Sequence, residues 1–321
     1  MGKATIYITR KIPETLLKPY QESFSFRMWE KEDERVPRDV LIEEARHADG
    51  LLTVLSDNVD EELLAQAPNL KVVANLAVGF DNIDVDAASK HQVIVTNTPD
   101  VLSETTADLG FGLLMATARR IVEASAFIEQ DKWNEWAPFL LAGADIHHKT
   151  IGILGMGRIG EAIAKRATGF NMNVRYHNRN RKPAVEEELG GLYSGFDELL
   201  SESDFIVSVV PLTEETANTF NQEAFAKMKT SAIFINISRG GVVDEDALLE
   251  ALDKGEIRAA GLDVFREEPI RSDHPFVGRD DVVCLPHIGS ASVETRTTMI
   301  QLCLDNISAV LHGSKPITPI K

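Results

Sequence analysis

Short strand-like runs alternate with helix-patterned stretches along almost the whole of this 321-residue chain. Strands are expected at 5–9, 50–54, 71–76 and 93–97, and helices at 13–21, 38–47, 59–67 and 84–90. Such alternation predicts a parallel sheet with helices on both faces. One long helix is expected over 102–130. The alternation then restarts, with strands at 150–154, 173–177, 204–210, 232–237, 259–262 and 282–285. That second set is a complete doubly wound unit in itself. A last helix spans 292–312 and is ended by Gly313, Pro316 and Pro319. The expected fold class is therefore α/β, with two doubly wound parallel-sheet domains, one over about 1–100 and one over about 101–288. The pattern alone leaves the last helix open to either domain.

Composition excludes several classes of partner. The chain is 44% hydrophobic and 26% charged, as ordinary globular proteins are. Its formal net charge of −17 argues against nucleic acid and anionic membranes, which would repel it. No apolar run approaches the roughly 18–20 residues of a membrane span. The opening Lys3-Ala4-Thr5-Ile6-Tyr7-Ile8 goes straight into a strand, with no signal-peptide pattern, and Ile6 does not fit a myristoylation signal after Gly2. Cys284 and Cys303 have no metal-ligand spacing and read as core residues of a reducing compartment. A cytoplasmic protein with no metal site is expected.

The most informative motif is Gly155-Met156-Gly157-Arg158-Ile159-Gly160, which joins the strand at 150–154 to a helix expected over 161–168. In that context G-x-G-x-x-G is a dinucleotide-binding turn. Gly155 permits the turn, Gly157 lets the backbone approach a pyrophosphate, and Gly160 lets the helix pack on the sheet. The helix N-terminus then offers N–H groups and a positive dipole end to the phosphates.

The next strand, 173–177, ends where an NAD-binding chain places an acid for the ribose hydroxyls. Here it runs into Asn178-Arg179-Asn180-Arg181-Lys182. Asn178, Arg179, Arg181 and Lys182 suit a 2′-phosphate, which needs cationic donors and would be repelled by a carboxylate. NADPH is favoured as cofactor, with NADH as the alternative; the bland reading is a solvated charged loop.

Three further segments make the reading specific. They are Ile233-Phe234-Ile235-Asn236-Ile237-Ser238-Arg239-Gly240-Gly241, Gly261-Leu262-Asp263-Val264-Phe265-Arg266-Glu267-Glu268-Pro269, and Leu285-Pro286-His287-Ile288-Gly289-Ser290. With the glycine turn, and in this order, they resemble the D-isomer-specific 2-hydroxyacid dehydrogenase family over essentially the whole chain. Within it the chain is most similar to the glyoxylate/hydroxypyruvate reductases, through Leu55-Ser56-Asp57, 98–102, Trp133 and Trp136, and 287–296. The 2-ketogluconate reductases are close behind.

The resemblance implies a flavodoxin-like substrate domain, 1–100 plus 289–321, and a Rossmann cofactor domain, 101–288. It assigns Arg239 to the substrate carboxylate and carbonyl, and Glu268 and His287 to an acid/base pair. The residue types suit that chemistry. Arg offers a planar two-pronged donor to a carboxylate, and His can give a proton to the alkoxide left by hydride addition. The resemblance also places Val78 and Gly79 against the substrate carboxylate, and Leu55, Ser56, His287, Ser290 and Trp136 around the substrate. Pro211, Thr213, Ile237, Asp263, Gly289 and Thr106 are implied as further cofactor contacts. Trp133 and Trp136 are either core aromatics or an arm that reaches a partner subunit, and a homodimer is implied.

The expected activity is NADPH-dependent reduction of a small 2-keto acid, glyoxylate or hydroxypyruvate, to the D-2-hydroxy acid. A 2-ketogluconate reductase is one rival. A cofactor-sensing regulator on the same fold is another, since fold does not fix function. Phosphoglycerate and formate dehydrogenases fit less well, because both usually prefer NAD.

Overall fold

The structure, a computed structural model, describes residues 2–320. The chain folds as two compact units. The first runs to Leu102 and resumes at Ala291, and the second is the uninterrupted stretch from Ser103 to Ser290.

The first unit holds a sheet of β1 (Ala4–Ile8), β2 (Phe24–Met28), β3 (Gly50–Thr53), β4 (Val72–Asn75) and β5 (Ile94–Thr96). Its order is β2-β1-β3-β4-β5 and every pair is parallel. Tyr7, Leu51, Val73 and Val95 pack on one face against Leu41, Leu63 and Ala88, which lie on the helices Arg38–His47, Glu61–Ala65 and Val85–Lys90. The helix Val293–Leu311 packs on β3 and β4. Gly50 permits that approach, since a Cβ there would lie 3.0 Å from Ile307 Cγ2. Helix starts are set by side chains that accept orphan N–H groups: Asp60 from Leu63, Asp84 from Ala87 and Ser292 from Thr295.

The second unit holds β6 (Thr150–Leu154), β7 (Asn173–His177), β8 (Leu192–Tyr193), β9 (Phe205–Ser208), β10 (Ile233–Asn236), β11 (Ala259–Leu262) and β12 (Val282–Cys284). The order is β12-β11-β10-β9-β6-β7-β8, again all parallel. Ile151, Ile153, Ile233 and Ile235 face one core, with Leu114 and Ile163 of the helices Ser103–Ala118 and Arg158–Gly169. Ile206, Phe234 and Ala260 face the other, with Leu199, Phe225 and Leu248 of the helices Phe196–Glu202, Gln222–Ala226 and Glu245–Lys254. Both faces are covered, which is why these strands read as unbroken apolar runs.

The predicted strands lie within a residue or two of the observed ones. Other expectations need correction. The single helix over 102–130 is two helices, Ser103–Ala118 and Ile121–Glu129. The break comes at Arg120, whose backbone is left-handed (φ 54°), and Ala144 N–H takes the Ala118 carbonyl at 2.8 Å. Residues 13–21 form two 3-10 turns, Glu14–Leu16 and Lys18–Tyr20, because Pro19 has no N–H for a continued α-helix. Strands β2 and β8 were not expected. Among the described residues no helix is long and apolar enough to cross a membrane.

Candidate active site

The glycine turn of the second unit follows β6, and its N–H groups and steric gaps decide what it can hold. Gly155 has φ 99°, and its N–H donates to His177 O at 2.9 Å. A Cβ there would lie 3.0 Å from the Val209 carbonyl carbon. At Gly160 a Cβ would overlap the Gly155 carbonyl oxygen, so the helix Arg158–Gly169 can sit this close only without a side chain. At Gly157 a Cβ would meet nothing within 4 Å. The approach to the helix N-terminus is open there, and Gly157 brings no side chain to cap it. Met156 is buried beneath the turn, while Arg158 is exposed and Ile159 partly so. An uncapped, accessible N-terminus of a twelve-residue helix fits the pyrophosphate of a dinucleotide.

Asn178 follows β7 and donates through Nδ2 to Asn180 O at 3.0 Å. The cations beyond it are unequal. Arg181 forks onto Glu186, with Nε to Oε1 at 3.0 Å and Nη2 to Oε2 at 2.5 Å, and its guanidinium lies 5.7 Å from the Tyr193 ring centre. Lys182 Nζ reaches Glu161 Oε1 at 3.3 Å. Arg179 is exposed and makes no hydrogen bond or salt bridge among the described residues. Pro211 and Thr213 follow β9 in a turn closed by Thr216, whose Oγ1 donates to Pro211 O at 2.6 Å and accepts from Thr213 N at 2.8 Å.

Arg239 stands three residues past β10, on a turn shaped by Asn236. The buried Asn236 side chain donates to Arg239 O at 3.0 Å and accepts from Ser238 N at 3.0 Å and Ser238 Oγ at 2.7 Å. Ile237, between them, is buried. Gly240 follows, and a Cβ there would overlap the Phe265 backbone. The missing side chain lets the Arg239 turn lie against the segment that leads to Glu268.

Glu268 and His287 meet. His287 Nδ1 and Glu268 Oε2 are 2.8 Å apart, and Glu268 Oε1 accepts from Phe265 N at 3.0 Å. Burial disfavours charge on Glu268. The His287 hydrogen bond and charge, the Phe265 N–H and the Arg239 charge outweigh it, and the carboxyl is held below its ordinary value. With Glu268 ionised, the ring must donate from Nδ1, which leaves Nε2 for a substrate. Glu268 precedes Pro269 through a cis peptide bond.

Asp263 ends this arrangement from below. Its backbone carbonyl accepts from His287 N at 2.9 Å, and its Oδ1 accepts from Ile288 N at 2.8 Å. His287 is thereby held with a left-handed backbone (φ 54°). Burial dominates the Asp263 carboxyl and pushes its pKa up. Thr106 and Gly289 lie beside it, since a Cβ on Gly289 would be 3.3 Å from Asp263 Oδ2 and 3.4 Å from Thr106 Cγ2. Ser290 closes the second unit and is partly exposed.

In the first unit, Val78 and Gly79 follow β4. Three carbonyls of that loop are taken from the protein side: Thr98 N donates to Ala77 O at 2.8 Å, Asn97 Nδ2 to Val78 O at 2.8 Å and Asn75 Nδ2 to Gly79 O at 3.0 Å. Across a trans peptide the N–H points opposite to the carbonyl. The Val78 and Gly79 N–H groups therefore point away from these anchors. Leu55 is partly buried and Ser56 is exposed, on the loop after β3. Arg10 and Asn75, which hold these loops together with Asp57 and Asn82, are lone polar residues in different segments, with no motif in the sequence to single them out.

Trp133 and Trp136 are 60% and 73% exposed, and Phe139 is 87% exposed. The core reading of the two tryptophans is thus excluded for the isolated chain.

Known proteins share this fold. The family model for the NAD binding domain of the D-isomer specific 2-hydroxyacid dehydrogenases matches residues 111–289. The chain is 49% identical to the glyoxylate reductase of Thermococcus onnurineus, over 98% of this chain and 95% of that one. A Thermus thermophilus protein of solved structure superposes with a TM-score of 0.93 at 40% identity, covering 99% of this chain and all of the other. The NADPH-dependent glyoxylate/hydroxypyruvate reductase of Sinorhizobium meliloti, solved with NADP and malonate, superposes with a TM-score of 0.86 at 33% identity, over 99% and 97% of the two chains. With a nicotinamide-type glycine turn, a paired glutamate and histidine, and relatives matched end to end, the chain belongs to the D-isomer specific 2-hydroxyacid dehydrogenase family of NAD(P)-dependent oxidoreductases.

Proposed function

We propose that this protein reduces small 2-keto acids, glyoxylate and hydroxypyruvate, to D-2-hydroxy acids with NADPH. The observation that carries the reading is the His287–Glu268 pair at 2.8 Å, a proton donor held by an ionised carboxylate. The Thermococcus relative is named a glyoxylate reductase and the Sinorhizobium one an NADPH-dependent glyoxylate/hydroxypyruvate reductase, which supports these substrates.

When bound, the nicotinamide supplies the hydride for the keto carbon. The chain's own residues do the rest. Arg239 binds the substrate carboxylate with its guanidinium and polarises the carbonyl. In the first unit, the Val78 and Gly79 N–H groups are donors to the same class of anion. His287 gives its Nε2 proton to the oxygen that becomes the alcohol, and Glu268 stabilises the imidazolium before that transfer. Gly155, Gly157 and Gly160 with the following helix hold the pyrophosphate, and Arg179 takes the 2′-phosphate. Residues 1–102 with 291–321 serve the substrate, and 103–290 the cofactor.

The exposed Trp133, Trp136 and Phe139 support a homodimer in which this apolar arm is covered by a second copy. Sedimentation of the protein with Trp136→Glu and Phe139→Glu tests that, a monomer being expected.

The decisive measurement follows loss of nicotinamide absorbance with NADPH and NADH in parallel, against glyoxylate, hydroxypyruvate and 2-ketogluconate. Faster oxidation of NADPH with the first two acids is expected. A clear NADH preference would overturn the cofactor reading, and a preference for 2-ketogluconate the substrate reading.

A further inference from the structure

The first unit's strand order, β2-β1-β3-β4-β5, reverses direction between β1 and β3. In an open parallel sheet the connections diverge at such a point and leave a crevice at the carboxyl ends of the two strands, where ligands bind. The residues at that crevice are Thr9 and Arg10 after β1, and 54–58 after β3.

They form one hydrogen-bonded set. Asp57 is fully buried and accepts from Thr9 Oγ1 at 2.5 Å, from Val54 N at 2.9 Å and from Arg10 Nη1 at 3.4 Å. Arg10 Nη1 also donates to Thr9 O at 2.6 Å, and Arg10 Nη2 donates to Ser56 Oγ at 2.8 Å. Only the outer end, Ser56, is exposed. Its oxygen accepts from a cation, so its own proton cannot go to Arg10 and is available to another acceptor. Arginine has no acceptor. The exposed end of the set therefore offers a hydroxyl donor held by Arg10, which suits an oxygen-bearing substituent.

The same set is tied to the Val78 and Gly79 loop. Asn82 Nδ2 donates to Asp57 O at 2.8 Å and Val54 O at 3.2 Å, and Asn75 Nδ2 donates to Asn82 Oδ1 at 3.1 Å and Gly79 O at 3.0 Å. The loops after β3 and β4 are thus fixed together, and the paired strands they leave are spaced about 4.8 Å apart. That is of the order of the reach from the carboxylate of a three-carbon acid to an oxygen on its third carbon.

We propose that Arg10 is a positioning residue that fixes the Ser56 hydroxyl as the donor to a C3 oxygen of the substrate, so that the pair selects 3-hydroxylated 2-keto acids. The inference rests on the reading of the chain as a 2-keto acid reductase. Hydroxypyruvate and pyruvate differ by that one oxygen, so the ratio of their kcat/KM values isolates it.

The test measures this ratio in the unaltered protein, in Ser56→Ala, in Arg10→Lys and in the double variant. Lysine keeps the charge beside Asp57 but not the fork that reaches Ser56. The unaltered protein is expected to prefer hydroxypyruvate. Each single variant is expected to cut the ratio about tenfold, the worth of one hydrogen bond to a substrate hydroxyl, and the double variant no further. A residue needed only for folding would lower both rates and leave the ratio alone. A ratio unchanged in Ser56→Ala, or no hydroxypyruvate preference at the outset, overturns the inference while the reductase stands. No turnover of any keto acid by the unaltered protein overturns the functional reading, and this inference with it.

Discussion

His287 and Glu268 meet at 2.8 Å from two different loops, and each is anchored on its own side, His287 through its backbone N–H to Asp263 and Glu268 through Phe265 N–H. The ring has little freedom to leave the carboxylate. Replacing His287 with Ala should lower kcat by on the order of 10² to 10⁴, the usual worth of a general acid. Cofactor affinity, read by nicotinamide fluorescence, should change little. A loss below tenfold would remove His287 from the chemistry.

The carboxyl of Glu268 is held below its ordinary value, and the sign of its effect on stability follows. A carboxyl with a lowered folded pKa stabilises the fold above its unfolded pKa, and that stability is lost as pH falls through the folded one. The stability gap between the protein and Glu268→Gln should be full at neutral pH and shrink only below the ordinary glutamate range. Urea midpoints across pH measure it. A gap that does not depend on pH would contradict the pairing.

Arg239 offers a planar fork, and Lys cannot reproduce it. In Arg239→Lys the KM for the keto acid should rise by about tenfold or more, with the cofactor KM nearly constant. Equal rises in both would show a general disturbance of the turn built on Asn236.

Arg181 and Lys182 are already held by Glu186 and Glu161, whereas Arg179 makes no hydrogen bond or salt bridge among the described residues and only its charge is felt by Glu215. Arg179→Ala should therefore raise the KM for NADPH roughly tenfold, a charge-assisted bond lost, and leave that for NADH close to its starting value. Arg181→Ala should do less. The reverse ranking would place the 2′-phosphate on Arg181.

Gly240→Ala forces a methyl into the Phe265 backbone. A cost of about 1–3 kcal/mol or more is expected, seen as a lower Tm. Because Phe265 N–H holds Glu268, kcat should fall as well, even in the folded fraction. A variant as stable and active as the parent would show that the two segments can part freely.

The sheets were legible because doubly wound strands are buried on both faces, so segments such as 205–208 and 233–236 stand out as apolar runs. The glycine turn and the three later motifs were legible because each packs its information into a few adjacent residues. What escaped was non-local. β2, with the sequence Phe-Ser-Phe-Arg-Met, carries exposed Ser25 and Arg27 at the sheet edge and gives a weaker signal. Arg120 turns left-handed because a carbonyl is claimed by Ala144, 24 residues on. The partners that occupy Arg181 and Lys182 sit on helices 5 and 21 residues away. Arg10, Asp57, Asn75 and Asn82 are brought together only by the parallel pairing of β1, β3 and β4.

The second unit is one continuous stretch, while the first is closed by the segment that resumes at Ala291. On the ribosome this sets an order. When residue 102 emerges, β3 and β4 lack the helix that covers them, and Thr96 lacks its bridge to Pro319. The second unit, complete once Ser290 has left the exit tunnel, can fold while the first still waits with an apolar sheet face bare. For a nascent chain of this design, the vulnerable period for aggregation is the time taken to translate an entire intervening domain.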